Sequence, residues 1–167
     1  MIRLLLFSLL FHFAHWGLAN EEMRSLWFDL DDPSKKKMFI EKVEQSTEKN
    51  PAMDAYRAAA VMLKADLTSL PNEKLKFFNQ GKDMLQSCLN QNPWNTECRF
   101  IRLTLQCKSP WFLGYHDNIA EDAQVILDHF KLKYVTTKVL YWKQVIKFMK
   151  SDSHVPSDIK NQLVNFK

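Results

Sequence analysis

The sequence predicts an all-α fold, with antiparallel helical hairpins stacked in an array of about six helices. Three observations carry that reading. The chain of 167 residues holds only three glycines, and hairpin turns, phosphate loops and dinucleotide loops all lean on glycine to reach positive φ. Apolar residues recur at helical rather than alternating spacing along most of the chain. Proline repeatedly stands directly after a capping residue, as in Asp32-Pro33 and Asn50-Pro51, which is the signature of a helix start.

Each element follows in order. Met23, Leu26, Trp27 and Leu30 fall on one helical face. Asp31-Asp32-Pro33 opens a helix to about Lys49, with Phe39, Ile40 and Val43 inward. Asn50-Pro51 opens another to about Leu67, turning Tyr56, Ala59, Ala60 and Leu63 inward. Pro71 begins a third, reaching about Gln91 through Phe77, Phe78, Leu85 and Leu89. Pro93 marks the next connection, and Thr96 to Lys108 is helical. Pro110 to Tyr115 is a hydrophobic loop. Asn118 to Phe130 is helical again, through Ile119, Val125, Ile126 and Phe130. Tyr134 to Tyr141 is rich in β-branched and aromatic residues, as a strand would be. Val135, Val139, Trp142, Val145, Ile146 and Met149 nevertheless make a better 3.6-residue stripe, so this segment is read as helix. Pro156 starts a last short helix through Ile159, Leu163 and Val164. The connections are short, which makes neighbouring helices antiparallel.

The N-terminus reads as an export signal. Arg3 supplies a positive charge, Leu4 to Phe13 is nearly all apolar, Gly17-Leu18-Ala19 places small residues around a cleavage position, and Asn20-Glu21-Glu22 turns polar. The apolar run is shorter than the ~20 residues a spanning helix needs. The expectation is a signal peptide over 1–19 and a single helical domain over 20–167, in the periplasm or cell envelope. The formal net charge is +4, too weak to imply a nucleic-acid partner.

Two resemblances add to this. Residues 74–110 resemble part of a tetratricopeptide repeat, with Gly81, Leu85, Cys88 and Pro93 at the offsets where that repeat wants small residues and a closing proline. The first-helix pattern Trp-x-x-Leu-Gly-x-x-Tyr is absent, so the resemblance covers half a motif in one copy and implies a protein-binding scaffold only at the level of fold. From about Ala55 to Asp122, the string Glu97-Cys98-Arg99-Phe100-Ile101-Arg102-Leu103, then Pro110-Trp111-Phe112-Leu113-Gly114-Tyr115, then Ile119 and Asp122, is similar to a family of small exported helical proteins of Gram-negative bacteria. That resemblance implies export and a helical fold, and carries no activity.

Catalytic motifs are missing: there is no His-Glu-x-x-His, Gly-x-Ser-x-Gly, Cys-x-x-Cys or P-loop. The reading is therefore a protein that is not an enzyme and takes no cofactor. Glu97, Arg99 and Arg102 lie on a helix crowded by apolar residues on most sides, with Arg99, Arg102 and Gln106 as one narrow polar stripe, and Asp122 lies on the next helix. Either the guanidiniums form an anion site, or Asp122 and Glu97 pair with them internally, as buried arginine requires. Trp111, Phe112 and Tyr115 make the loop unusually aromatic, so it either folds back as a lid or lines a groove for a partner. Among the cysteines, Cys98 and Cys107 share a helix and are separated by a rise of about 13.5 Å, too far to bridge. Cys88 and Cys98 flank Pro93 symmetrically and are either the one feasible disulfide, leaving Cys107 free, or small residues at a helix contact. His116, Asp117, Asp122 and His129 fit no standard zinc spacing, and no metal is expected. Lys143, Lys147 and Lys150 share one face of a basic helix, which is either a solvated surface or a membrane-surface contact.

These readings converge on a non-enzymatic helical interaction module of the envelope, binding an envelope protein or peptide. One alternative is a peripheral membrane-surface binder using the C-terminal lysines. The other is a small-ligand carrier or enzyme with Arg99, Arg102 and Tyr115 in a pocket.

Overall fold

Helix starts in this chain are built by capping side chains. In the computed structural model, which describes residues 21–132, 140–164 and 166, the Asp32 carboxylate accepts the backbone N–H groups of Ser34 and Lys35 and so caps α2, Pro33–Gln45. Asn50 does the same for α3, Pro51–Leu63, through the N–H of Met53. Asn95 caps α5, Thr96–Lys108, through the N–H of Cys98. Each cap satisfies donors that the first helical turn leaves open, and replacing one by alanine costs ~1 kcal/mol.

The described residues are all-helical. Residues 21–27 form α1, and α4 runs Pro71–Gln91, α6 Ile119–Leu132, α7 Leu140–Ser151 and α8 Ser157–Leu163. Short 3-10 turns lie at Lys64–Leu67 and Trp111–Leu113. Among the described residues eight α-helices are present, including the short ones expected over residues 23–30 and after Pro156. The leader over 1–19 and the ambiguous residues Tyr134 to Val139 lie outside the described residues. No described helix is long and apolar enough to cross a membrane.

The chain gathers into two compact units that divide between Gly81 and Lys82, inside α4. The first unit is built around three aromatic rings. Trp27 of α1, Phe39 of α2 and Tyr56 of α3 are all buried, with ring centroids 5.6, 6.0 and 5.8 Å apart. Such pairs add ~0.5–1.5 kcal/mol each beyond the area they bury. Helices α2 and α3 are antiparallel: Lys36 near the start of α2 pairs with Asp66 beyond the end of α3, whereas Ser46 after α2 meets Arg57 of α3. The alanines of α3 let neighbours approach closely. A Cβ placed on Gly81 would lie 2.6 Å from the Ala58 carbonyl oxygen and 2.7 Å from the Met62 nitrogen.

Helix α2 stops at Gln45 rather than near Lys49. Ser46 turns extended, and Arg57 donates to the carbonyl oxygens of Ser46 and Glu48. These two bonds hold the connection open as a strap.

In the second unit α5 is central. Every residue from Thr96 to Cys107 is buried, so the helix has no solvent face. Phe100 meets Tyr141 and Phe148 of α7 edge-on, with centroids 6.1 and 5.6 Å away. Helix α6 runs antiparallel to α5, since Arg99 reaches Glu121 and Asp122 while Gln106 reaches Asn118. Helix α8 packs on α6 and α7 through buried Ile159 and Leu163.

Candidate functional site

Two features of the second unit were singled out by sequence, and the structure treats them very differently. The first is the arginine stripe of α5. Arg99 and Arg102 are 6% and 4% exposed, and Asp122 of α6 is 0% exposed. Asp122 accepts from Arg99 Nη1 at 2.8 Å, from Arg102 Nε at 2.7 Å and from Arg102 Nη2 at 2.7 Å. The pairing with Arg102 is the two-pronged fork that guanidinium and carboxylate geometry favours. Arg102 Nη1 also donates to Gln86 of α4 at 3.1 Å, so all three of its nitrogens are engaged. Arg99 Nε donates to the Pro93 carbonyl at 2.8 Å and its Nη1 to Glu121 at 2.6 Å.

The electrostatics follow the geometry. Burial alone would lower the Arg99 pKa, but the hydrogen bonds and charges of Asp122 and Glu121 outweigh it and raise it. The bond from Arg99 holds the Glu121 carboxyl below its ordinary range. Glu121 was not foreseen. It sits on the polar side of α6 beside Asp122, where sequence shows only an ordinary acidic first turn. Glu97, expected as a partner, is buried on α5 itself.

The second feature is the aromatic turn, where the residues separate. Tyr115 is buried, whereas Trp111 and Phe112 are 79% and 84% exposed. The turn is tightly constructed beneath them. Leu113 N–H donates to the Pro110 carbonyl at 3.0 Å and Gly114 N–H to the Trp111 carbonyl at 3.1 Å. Gly114 adopts φ 58°, ψ 38°, a left-handed conformation that costs a β-carbon-bearing residue ~1 kcal/mol or more. Ser109 Oγ donates to Leu105 O at 2.7 Å, and a His116 ring nitrogen lies 3.1 Å from the Ser109 carbonyl. The His116 ring is 4.8 Å from that of Trp111. Tyr115 anchors the turn in the core, and burial raises its phenol pKa. The anchored turn therefore carries two large apolar side chains that stay mostly in water, Trp111 touching only the edge of the unit at His116.

The thiols of Cys88 on α4 and Cys98 on α5 face each other with sulfurs 3.7 Å apart, and Cys98 is pushed up by that hydrogen bond and by burial. Both are thiols here, as is buried Cys107. Of the basic face on α7, Lys143 and Lys147 are exposed, whereas Lys150 donates to the Phe166 carbonyl at 2.9 Å.

No family model, curated protein or solved structure matched the chain.

Proposed function

We propose that this protein is a non-enzymatic interaction module of the cell envelope, exported by its N-terminal leader, whose stacked helical hairpins are tetratricopeptide-like and whose binding element is the Trp111–Phe112 pair. The observation that supports the reading is the contrast within one turn. Burying Trp111 and Phe112 from their present exposure would release ~1.5–3 kcal/mol or more per side chain, yet the fold leaves both in water while fixing the backbone beneath them. Large aromatic groups on a preorganised turn have the character of interface anchors, which lose little conformational freedom on binding. A protein or peptide segment with an apolar face is the occupant whose chemistry suits them.

The alternatives have less support. In the membrane-surface reading, Lys150 is already committed to Phe166, leaving Lys143 and Lys147 of the three. In the ligand or enzyme reading, the arginines are occupied by Asp122 and Glu121, and Tyr115 is a buried anchor.

The test compares the mature wild-type protein with the double variant Trp111→Ala, Phe112→Ala in capture from envelope extract, after circular dichroism establishes that the variant folds. Both side chains are exposed, so the variant should lose no more than ~0.5 kcal/mol of stability. Specific proteins retained by wild type and lost by the folded variant support the module. The same proteins, or none, with both chains refute the placement of its binding site.

A further inference from the structure

A different constellation lies where the end of α5 meets the connection between α7 and α8. Cys107 Sγ, a carboxylate oxygen of Asp152 and a ring nitrogen of His154 all lie within 4.8 Å of one another. Cys107 is buried near the C-terminal end of α5, Asp152 is half-buried just after α7, and His154 is exposed two residues later. Asp152 Oδ1 accepts the His154 backbone N–H at 2.9 Å and lies 3.0 Å from His154 Nδ1. The Asp-Ser-His segment is thus folded back on itself, presenting its carboxylate and imidazole side by side. On the far side, the His154 ring lies 6.0 Å from that of His116, which Trp111 in turn covers.

We propose that Cys107, Asp152 and His154 form a site for a divalent transition-metal ion, zinc being the best match, with the fourth coordination position left for water or an added ligand. Several independent features point this way. The donors are one sulfur, one imidazole nitrogen and one carboxylate oxygen, a set that suits borderline-soft ions and excludes the all-oxygen preference of magnesium and calcium. Ligands on one tetrahedral zinc, at ~2.0–2.3 Å each, stand ~3.3–3.7 Å from one another. The Asp152–His154 separation of 3.0 Å is already close to that value, and the sulfur lies within 4.8 Å of both donors. A thiolate and a carboxylate also neutralise a divalent cation, which suits a half-buried site.

The same trio invites a rival reading as a cysteine nucleophile with a histidine base. Burial and the neighbouring Asp152 charge push the Cys107 thiol up to about 12, opposite to the lowered value a nucleophilic cysteine needs. A bound cation reverses this preference directly, because a coordinating thiol is deprotonated by the metal. The assignment does not rest on partner binding at Trp111 and Phe112.

The test is a titration of the reduced, metal-free, untagged mature protein with cobalt(II), followed by zinc. One equivalent of cobalt should produce a thiolate-to-cobalt charge-transfer band in the near ultraviolet, which zinc then abolishes. Cys107→Ser should remove the band, whereas the double variant Cys88→Ser, Cys98→Ser should keep it. His154→Ala, at an exposed position that leaves the fold alone, should weaken zinc binding at least about tenfold, since even outer partners of ligands are worth ~10–100-fold. Zinc should also raise the melting temperature of wild type more than that of His154→Ala. If Cys107→Ser does not fold, His154→Ala and Asp152→Asn decide the matter by the same affinity loss. A wild-type protein without the cobalt band overturns the site. So does a band that survives Cys107→Ser, or a zinc affinity indifferent to His154→Ala.

Discussion

Removing the Asp122 carboxylate is the sharpest perturbation of the α5–α6 seam. Asp122→Ala deletes three charge-assisted hydrogen bonds from Arg99 and Arg102, at 2.8, 2.7 and 2.7 Å. Each such bond is worth ~1.5–3 kcal/mol, so the gross loss is several kcal/mol. Glu121 remains beside Arg99 at 2.6 Å and Arg102 at 3.8 Å and compensates part of it. Breaking a buried pair from one side typically costs ~3–5 kcal/mol, because the partner charge is left desolvated, and ~4 kcal/mol is the expected loss here. That is a large share of the ~5–15 kcal/mol of a whole domain. In urea unfolding followed by circular dichroism, with an m-value of about 2 kcal/mol/M, the midpoint should fall by about 2 M. The shift should persist in 1 M salt, since the pair is shielded from solvent ions, unlike the exposed pairs of the first unit. A folded Asp122→Ala protein that loses less than ~1 kcal/mol would refute the reasoning, because it would mean the guanidiniums find equal solvation without their central partner.

Three further outcomes follow from the same geometry. Gly81→Ala should destabilise by ~1–3 kcal/mol in thermal unfolding, as its Cβ meets backbone atoms at 2.6 and 2.7 Å, although glycine to alanine in an open helix gains ~1 kcal/mol; a stabilised variant would show that the helices separate freely. Glu121 is held below its ordinary pKa by Arg99, so its contribution is full above the unfolded carboxyl value near ~4.3 and is lost as pH falls through the lower folded value. Because its side chain is 54% exposed, Glu121→Gln should cost under ~1 kcal/mol at neutral pH, and the gap from wild type should close on acidification toward ~pH 3; a gap that widens reverses the sign. Mild oxidation should yield one internal disulfide between Cys88 and Cys98, whose sulfurs are 3.7 Å apart, and leave Cys107 alkylatable after unfolding, as mass spectrometry would read. That bridge should add ~2–3 kcal/mol, and formation should be slow at neutral pH because the Cys98 thiol is raised.

Much of the helical framework was legible because its starts are local. Asp32-Pro33 and Asn50-Pro51 carry both the cap and the fixed φ in adjacent residues, and the structure uses the side chains as acceptors in just that way. Helix ends were harder. Nothing near Gln45 announces that α2 stops there, since the strap over Ser46 and Glu48 is held by Arg57 from another helix. The apolar crowding around Arg99 and Arg102 was visible in the sequence, but Glu121 was not, because an acidic residue in a first helical turn is unremarkable. A loop has no period, so spacing could not separate buried Tyr115 from exposed Trp111 and Phe112. The Cys107, Asp152 and His154 trio was invisible for a different reason. Asp152 and His154 are two residues apart, but Cys107 lies 45 residues before Asp152 and the set matches no spacing pattern, so only the folded packing of α5 against the α7–α8 connection brings the sulfur to the other two.

The complete enclosure of α5 sets how this chain can vary. An amphipathic helix tolerates change on its wet face, and its mutational record carries a 3.6-residue rhythm. From Thr96 to Cys107 there is no wet face, so saturation mutagenesis should find an unbroken intolerant tract there, with charge demanded at Arg99 and Arg102 and volume at the other positions. Flanking helices can drift in sequence around such an axle, while the axle itself must be inherited nearly whole.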